Sequence, residues 1–316
     1  MQSGGMRRQW SGVLGAVALG LLLVGAAGAG QAPPPVMKQV AADLYFHYDG
    51  TASNSIVWVT DEGVLVIDTK QHPRQAQALV AEIRKITAKP IRWAFVTQAH
   101  GDHYLGNQVL KREGAILVAQ NEVARLMETY IDKEMKRRQA FFDRNQFDPK
   151  EIALTIPDVT FDKHMVIRLG GKAAHLLYFG PGQDPGNAFV YFPHAKALAT
   201  GGGYVTRSWS NPMFTPSVDG WITILRQIKA MDVDMYLPGH GDVGTKQNVD
   251  EMVQFLTDLQ AGVRDAIARG MDKDAIVKTL QFPRYRDWRN AHLAPAQIEA
   301  MHHLITTGKS IYFDRE

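Results

Sequence analysis

Two short polar stretches carry residue types that bind metal ions. The first runs from Gln98 to His103 and places His100, Asp102 and His103 close together. The second contains His240 between two glycines. Imidazole nitrogens and carboxylate oxygens are ligands for zinc and related divalent ions, and polar residues clustered on a loop rarely serve packing. Both stretches therefore indicate a metal site built from distant parts of the chain.

Each polar stretch follows a predicted strand. The β-rich run from Ile91 to Thr97 precedes the first stretch, and Met235 to Pro238 precedes the second. Ligands of α/β proteins bind in the loops at strand ends, so these two strands would bring the polar residues together. Upstream, the runs Ile56 to Thr60 and Val64 to Asp68 flank a hairpin turn, and Pro73 opens a helix.

The remaining chain alternates between strands and helices without a shift in composition, which predicts one α/β domain with helices at its C-terminal end. A long charged segment from about Glu122 to Phe142 is predicted to be an inserted helix with a solvated face. Asn248 followed by Glu251 is typical of a capping box and predicts the start of a later helix at Asn248.

The composition excludes several classes of protein and of site. The chain has 316 residues and a formal charge of +3, from 35 Lys and Arg against 32 Asp and Glu. This near-neutral balance argues against nucleic-acid binding, which needs a basic surface. The absence of cysteine excludes a disulfide scaffold, an iron–sulfur cluster, a Cys nucleophile and a thiolate-held zinc. Any metal ion must therefore be held by His, Asp, Glu or weaker ligands.

Residues 1–30 are predicted to be a secretory signal peptide. Arg7 and Arg8 precede a small-apolar run from Val13 to Ala29, and this order is typical of such signals. Cleavage near Ala29 would remove two Arg and no acid, leaving 33 basic against 32 acidic residues, or +1. The alternative is an uncleaved N-terminal anchor, for which the run is just long enough. A cleaved chain would be periplasmic or secreted, with no stable membrane insertion.

On these motifs the chain resembles the hydrolases of the metallo-β-lactamase fold, over roughly residues 37–250. The hairpin ending in Asp68 and Thr69, the stretch from His100 to His103, and Gly239 with His240 stand in the family's order and at strand ends. The resemblance implies an α/β fold, an αββα sandwich of two mixed β-sheets flanked by helices, with metals at one edge. It predicts a domain over residues 31–250 and a helical extension over 251–316 packed on it.

Several positions depart from the family's motifs. Gln98 stands in place of the first motif His, and Gln183 in place of the His after a later strand. Gly202 replaces the bridging Asp, and Lys70 replaces the Gly of Asp-Thr-Gly. Of the two metal positions that the resemblance implies, the one built from three His keeps only His100. The other keeps all its ligands, which are Asp102, His103 and His240.

The surviving ligands predict a hydrolase with one zinc ion, weakly bound because the bridging Asp is lost. Three protein ligands leave a position for a water molecule that zinc activates near neutral pH. His100 would orient or deprotonate this water, with Asp102 as the second catalytic residue. The predicted substrate is a small molecule with an ester, lactone or amide-type bond, such as a β-lactam. The alternative is a metal-poor binding protein that kept the fold and lost catalysis. The sequence leaves the oligomeric state open.

Overall fold

The computed structural model describes Met1 and residues 35–314. Residues 35–314 belong to one compact unit. The predicted signal peptide, apart from Met1, lies outside the described residues. Within the described part of the chain, no helix has the length and apolar character needed to cross a membrane.

The first sheet holds seven strands whose spatial order follows the chain. They are β1 Val36–Gln39, β2 Leu44–Tyr48, β3 Ser55–Thr60, β4 Gly63–Ile67, β5 Ile91–Val96, β6 Ile116–Gln120 and β7 Val159–Phe161. Neighbours from β1 to β4 pair antiparallel, and neighbours from β4 to β7 pair parallel. Every residue of β4 is buried, because this central strand is covered on both faces, which explains its continuous apolar run.

The second sheet holds five strands in the spatial order β12, β11, β10, β9, β8. They are β8 His164–Leu169, β9 Lys172–Leu177, β10 Phe189–Phe192, β11 Ala197–Gly201 and β12 Met235–Pro238. Only β11 and β12 pair parallel among these strands. Trp58 and Phe95 of the first sheet share one buried cluster with Leu176, Phe192 and Leu237 of the second. The two sheets therefore pack face to face around a common core.

Nine α-helices lie within the described residues. They are α1 Pro73–Ile86, α2 Gly101–Tyr104, α3 Asn107–Arg112, α4 Asn121–Asn145, α5 Val218–Ala230, α6 Lys246–Ala268, α7 Lys273–Thr279, α8 Ala294–Thr307 and α9 Ile311–Asp314. Leu79 of α1 and Leu110 of α3 pack on the outer face of the first sheet. Trp221 of α5 and Phe255 of α6 pack on the outer face of the second. The predicted αββα sandwich with a helical C-terminal region is confirmed.

One helix start was predicted wrongly. Helix α6 begins at Lys246 and not at Asn248. Asn248 accepts a hydrogen bond from the backbone N–H of Thr245, at 3.0 Å. Asn248 is thus the reciprocal partner inside the first turn, and Thr245 is the capping residue.

Candidate metal centre

The three residues predicted to bind metal meet at one edge of the sandwich. Asp102 and His103 lie on α2, which directly follows β5, and His240 follows β12. One ligand atom from each residue lies within 4.8 Å of the other two. Asp102 Oδ2 is 3.0 Å from His240 Nε2 and 3.6 Å from His103 Nε2. This is a spacing at which one metal ion could be bound by all three.

The two strand ends are held together by buried contacts of the loop before β3. The side-chain amide of Asn54 donates to the carbonyls of Pro238 and Gly241, at 3.1 and 2.9 Å. Ser53 Oγ donates to the carbonyl of Asp102, at 2.6 Å. A Cβ atom at position 239 would lie 2.7 Å from His103 Cε1, so only glycine lets the second stretch approach the first this closely.

Asp68 orients His103 from behind. Its carboxylate accepts from the N–H and the hydroxyl of Thr97, both at 2.9 Å, and lies 2.6 Å from His103 Nδ1. Because the carboxylate is an acceptor, Nδ1 carries the proton, and Nε2 of a neutral ring keeps its lone pair. His103 Nε2 is buried and has no hydrogen-bond partner among the described residues.

A buried nitrogen without a partner is costly unless a ligand occupies it. The carboxylate–histidine pair behind it is the usual support of a metal-binding imidazole. Burial alone would lower the pKa of His103, but the charges of Asp68 and Asp102 outweigh it and raise that pKa. The same negative charges attract a divalent cation. The residues present therefore fit a metal ion.

The other oxygen of Asp102 is occupied by an arginine from α4. Arg138 donates from Nη2 to Asp102 Oδ1, from Nη1 to Gln71 and from Nε to Glu134, at 2.6 Å. Burial would raise the pKa of Asp102, but the neighbouring Arg138 and His103 hold it well below its usual range. Asp102 is thus ionised, and its second oxygen, Oδ2, is the one that could bind a metal ion.

Glu134 connects helix α4 to the turn that carries the ligands. It is 1% exposed and accepts the backbone N–H of Gly101 at 2.7 Å. Arg137 donates to both of its oxygens, at 2.8 and 2.6 Å. Burial raises the pKa of Glu134, but Arg138 and Arg137 outweigh it and keep the carboxyl ionised through the ordinary pH range.

The predicted helix has its solvated face, with Glu128, Asp132 and Lys136 exposed, but the sequence did not reveal that Glu134 and Arg138 lie on its buried side. Charged runs on a helix look alike whether they face water or a buried charged site. The i,i+4 spacing of Glu134 and Arg138 was visible in the sequence, but that spacing is also ordinary on exposed helices. The third charged side chain of this group, Arg137, also places its guanidinium over the ring of Phe214, 5.3 Å from its centroid.

Asp102, His103 and His240 form a triad of candidate metal ligands. His100, which was predicted to act on the water, lies beside this triad and not in it. Its ring centroid is 6.3 Å from that of His103, and the ring of Phe214 packs on it at 3.8 Å. Burial holds the pKa of His100 well below its usual value. His100 Nε2 lies 3.5 Å from Asp184 Oδ2 and has no hydrogen-bond partner among the described residues. Its catalytic role stays a prediction.

Gln98 and Gly202, two of the departures from the family's motifs, are in direct contact. Gln98 Oε1 accepts the N–H of Gly202 at 2.7 Å, and its amide nitrogen lies 2.7 Å from His100 Nδ1. A Cβ atom at position 202 would lie 2.6 Å from Gln98 Oε1 and 3.1 Å from Gln183 Oε1. A side chain at position 202 would require the Gln98 amide to move, so glycine at 202 is compatible with glutamine at 98.

Lys70 places a buried positive charge beneath the site. It has a φ of 76°, in the left-handed region, and its ammonium donates to the carbonyl of Ser53 at 2.6 Å. Burial lowers the pKa of Lys70 to about 8, although nearby Asp49, 3.7 Å away, opposes this shift. Sequence reasoning noted Lys70 only as a departure, because its burial follows from the packing around it.

Two cavities share Asp102, His240, Arg137 and Arg138 in their walls. The larger, about 630 Å³, extends toward Tyr48, Phe141 and Arg289. The smaller, about 230 Å³, extends toward Gln98, Gln183 and Trp209. Both give a small molecule access to Asp102 and His240.

Several known proteins are similar to this chain in sequence or in structure. The sequence model of the metallo-beta-lactamase superfamily matches residues 48–240. A linear primary-alkylsulfatase from Pseudomonas sp. is 24% identical over 261 residues, covering 70% of this chain and 48% of the relative, so the chain spans about half of that protein. A type 2 metallo-beta-lactamase from Bacillus cereus is 22% identical, covering 64% of this chain and 72% of the relative. The solved structure of a stereoselective inverting sec-alkylsulfatase from Pseudomonas sp. has a TM-score of 0.69 at 16% identity, covering 85% of this chain and 50% of that one.

Proposed function

The chain belongs to the metallo-beta-lactamase superfamily, and we propose that it is a hydrolase that uses a single zinc ion. The observation that carries this proposal is His103 Nε2, a buried nitrogen without a partner among the described residues that faces a carboxylate and a second imidazole. Asp102, His103 and His240 would hold the ion. Zinc with three protein ligands would lower the pKa of a bound water to about 7, so that this water could act as a nucleophile at neutral pH.

The chain's own residues prepare this site in two ways. Asp68 fixes the ring of His103 with Nε2 toward the ion. Arg138 holds Asp102 Oδ1, so Oδ2 is the oxygen that faces the histidines. His103 and Asp102 are therefore held in position before an ion binds, and this lowers the entropic cost of forming the site.

The amide side chains at the second metal position favour the binding of one zinc ion over two. Gln98 and Gln183 offer neutral oxygens, which bind zinc more weakly than imidazole or carboxylate. Gln98 Oε1 is also already engaged by the N–H of Gly202. Because the position beside Gly202 is filled by the Gln98 amide, a second ion there would have to displace this hydrogen bond and bind to weak ligands.

The substrate we propose is a small molecule with an ester, lactone or amide-type bond, and a β-lactam is one example. The larger cavity is lined by three guanidinium groups, of Arg137, Arg138 and Arg289, and by two carboxylates, of Asp49 and Asp102, and this excess of positive charge favours a substrate with a negatively charged group. Two of the proteins to which the chain is similar are named for alkyl sulfates, which are anionic esters. A sulfate ester therefore belongs among the substrates to be tested.

A metal-poor binding protein is the second candidate. The observation that favours it is the hydrogen-bonded amide of Gln98, which occupies part of the site and needs no ion. The hydrolase is favoured by His103 Nε2, which has no hydrogen-bond partner among the described residues. In a site that had lost its metal, we would expect another side chain to form a hydrogen bond with this buried nitrogen.

Zinc content separates these two candidates. Protein reconstituted with zinc and freed of excess is expected to retain about one equivalent, since the residues that the structure describes hold one set of three strong ligands. Elemental analysis measures this stoichiometry, and hydrolysis of phenyl acetate, a lactone, a β-lactam and an alkyl sulfate is assayed alongside. Two equivalents would contradict the single-ion site, and no retained zinc would favour the binding protein.

We also propose that the chain is exported and cleaved near Ala29. The support is the arginine pair followed by an apolar run in residues 1–30. Intact mass spectrometry of protein from the periplasmic fraction is expected to give a mass that lacks this segment. Full-length protein found in the cytoplasm would contradict export, and full-length protein in the membrane fraction would favour the anchor.

A further inference from the structure

The smaller cavity has a wall of uncharged polar side chains. It lies directly beside Asp102 and His240 and holds about 230 Å³. Its lining includes side chains with amide or hydroxyl groups, which are Gln98, Gln183, Ser208, Ser210, Asn211, Asn290 and Gln297. A cavity of this composition, next to a reactive centre, is suited to hydrogen bonding.

Gln183 and Gln297 present buried acceptors to this cavity. The amide nitrogen of Gln183 donates to the carbonyl of Asn211 at 3.3 Å, and that of Gln297 donates to the carbonyl of Trp209 at 3.2 Å. Since a carbonyl can only accept, these contacts define which end of each amide is nitrogen. The oxygen of each amide is what remains for another partner.

Neither oxygen has a partner among the described residues. Gln183 is 5% exposed and Gln297 is 1% exposed, and both Oε1 atoms are buried and unpaired. Leaving a buried acceptor unpaired is unfavourable, so native proteins rarely keep two of them in one cavity without a ligand or ordered water. A hydrogen bond donated by a ligand or an ordered water would satisfy each oxygen.

The charge of the cavity wall narrows the class of ligand. The one carboxylate among the described residues of the lining, Asp102, is already paired with Arg138, so an ammonium donor would find no free carboxylate in this cavity. An anion such as a carboxylate has no proton to donate to an amide oxygen. The remaining donors are the N–H₂ of a carboxamide and the O–H groups of an alcohol.

We propose that this cavity is a substrate subsite for a neutral hydrogen-bond donor, a carboxamide or a pair of hydroxyls, held by Gln183 and Gln297. The subsite rests on the proposed function, because the substrate of that hydrolase would carry the group. It assigns a role to Gln183, where the family's motif has a metal-binding His. At this position the chain exchanges a metal ligand for a substrate contact.

The test measures binding in zinc-free protein, so that it does not depend on hydrolysis. The probes are propionamide, propane-1,2-diol and butanone, which are of similar size, and butanone alone lacks a donor. Ligand-observed NMR titration is expected to detect the amide or the diol and to detect butanone at least about tenfold more weakly. Whichever of the two donors binds identifies the group.

Three variants locate the binding. Gln183→Leu and Gln297→Leu are each expected to weaken the bound donor about tenfold, and either variant suffices if the other misfolds. Gln75→Leu is the matched control, because Gln75 Oε1 is also unpaired but lies outside the cavity. Equal binding of butanone, unchanged binding in both cavity variants, or no binding of either donor, which would mean ordered water only, overturns the subsite. A chain that binds the donor but hydrolyses nothing would overturn the proposed function and leave the subsite standing.

Discussion

Asp102→Ala and His240→Ala are each expected to abolish zinc retention and hydrolysis together. Each variant leaves two protein ligands where three are needed. Asp102→Ala also leaves the buried guanidinium of Arg138 without one of its two carboxylate partners. Elemental analysis of zinc-reconstituted variants and the rate of substrate hydrolysis measure the two losses.

His100→Ala is expected to separate the two properties. The His100 ring lies outside the three-ligand cluster, so zinc retention should persist while turnover falls by roughly 10²–10⁴, the range for a lost general base. His292→Ala, an exposed histidine outside the triad, serves as the control with both properties intact. Loss of zinc in His100→Ala would show that His100 is a ligand, and unchanged turnover would remove it from the catalytic residues.

Glu134→Gln is expected to lower the free energy of unfolding by about 3–5 kcal/mol, the usual cost of removing one partner from a buried ion pair. Glu134 accepts from Gly101, Arg137 and Arg138 in an almost fully buried position. Gln has the same shape but leaves two guanidinium groups short of negative charge. Urea unfolding at neutral pH measures the difference, with Glu128→Gln, at an exposed position on the same helix, as the control.

The effect of Glu134→Gln should depend on pH. Because Arg138 and Arg137 overcome the burial of Glu134 and depress its folded-state pKa below the unfolded value of 4.5, its ionised form contributes stability above that value. This contribution is lost as the pH falls toward the folded-state pKa. The stability gap between wild type and Glu134→Gln should therefore be full at pH 7 and shrink below about pH 4. A gap that stays constant with pH would mean that the charge of Glu134 is not what stabilises the fold.

Local patterns in the sequence predicted an α/β domain with metal-binding residues at strand ends, and the resemblance of the motifs to the metallo-β-lactamase fold predicted the sandwich and the three ligands. Apolar runs such as Ile91 to Thr97 depend on short-range spacing, which is written directly in the chain. Asp102, His103 and His240 follow strands of two different sheets, so their grouping was predicted from the order of the family's motifs and not from strand pairing. The same reasoning identified Gln98 and Gln183 as departures from the motifs, because an amide in place of an imidazole is a change of residue type.

The partners of these residues were decided only by the tertiary structure. Asp68 and His103 are 35 positions apart, Asp102 and Arg138 are 36 apart, and Gln98 and Gly202 are 104 apart. Each contact depends on how separate elements pack, and no local pattern specifies that packing. A charged helix exposes its residues or buries them according to what lies against it, which is why the buried positions of Glu134 and Arg138 on α4 could not be predicted. The types and order of the residues thus determined which chemistry the chain could carry. Packing decided which oxygen, nitrogen or guanidinium group faces the candidate metal site.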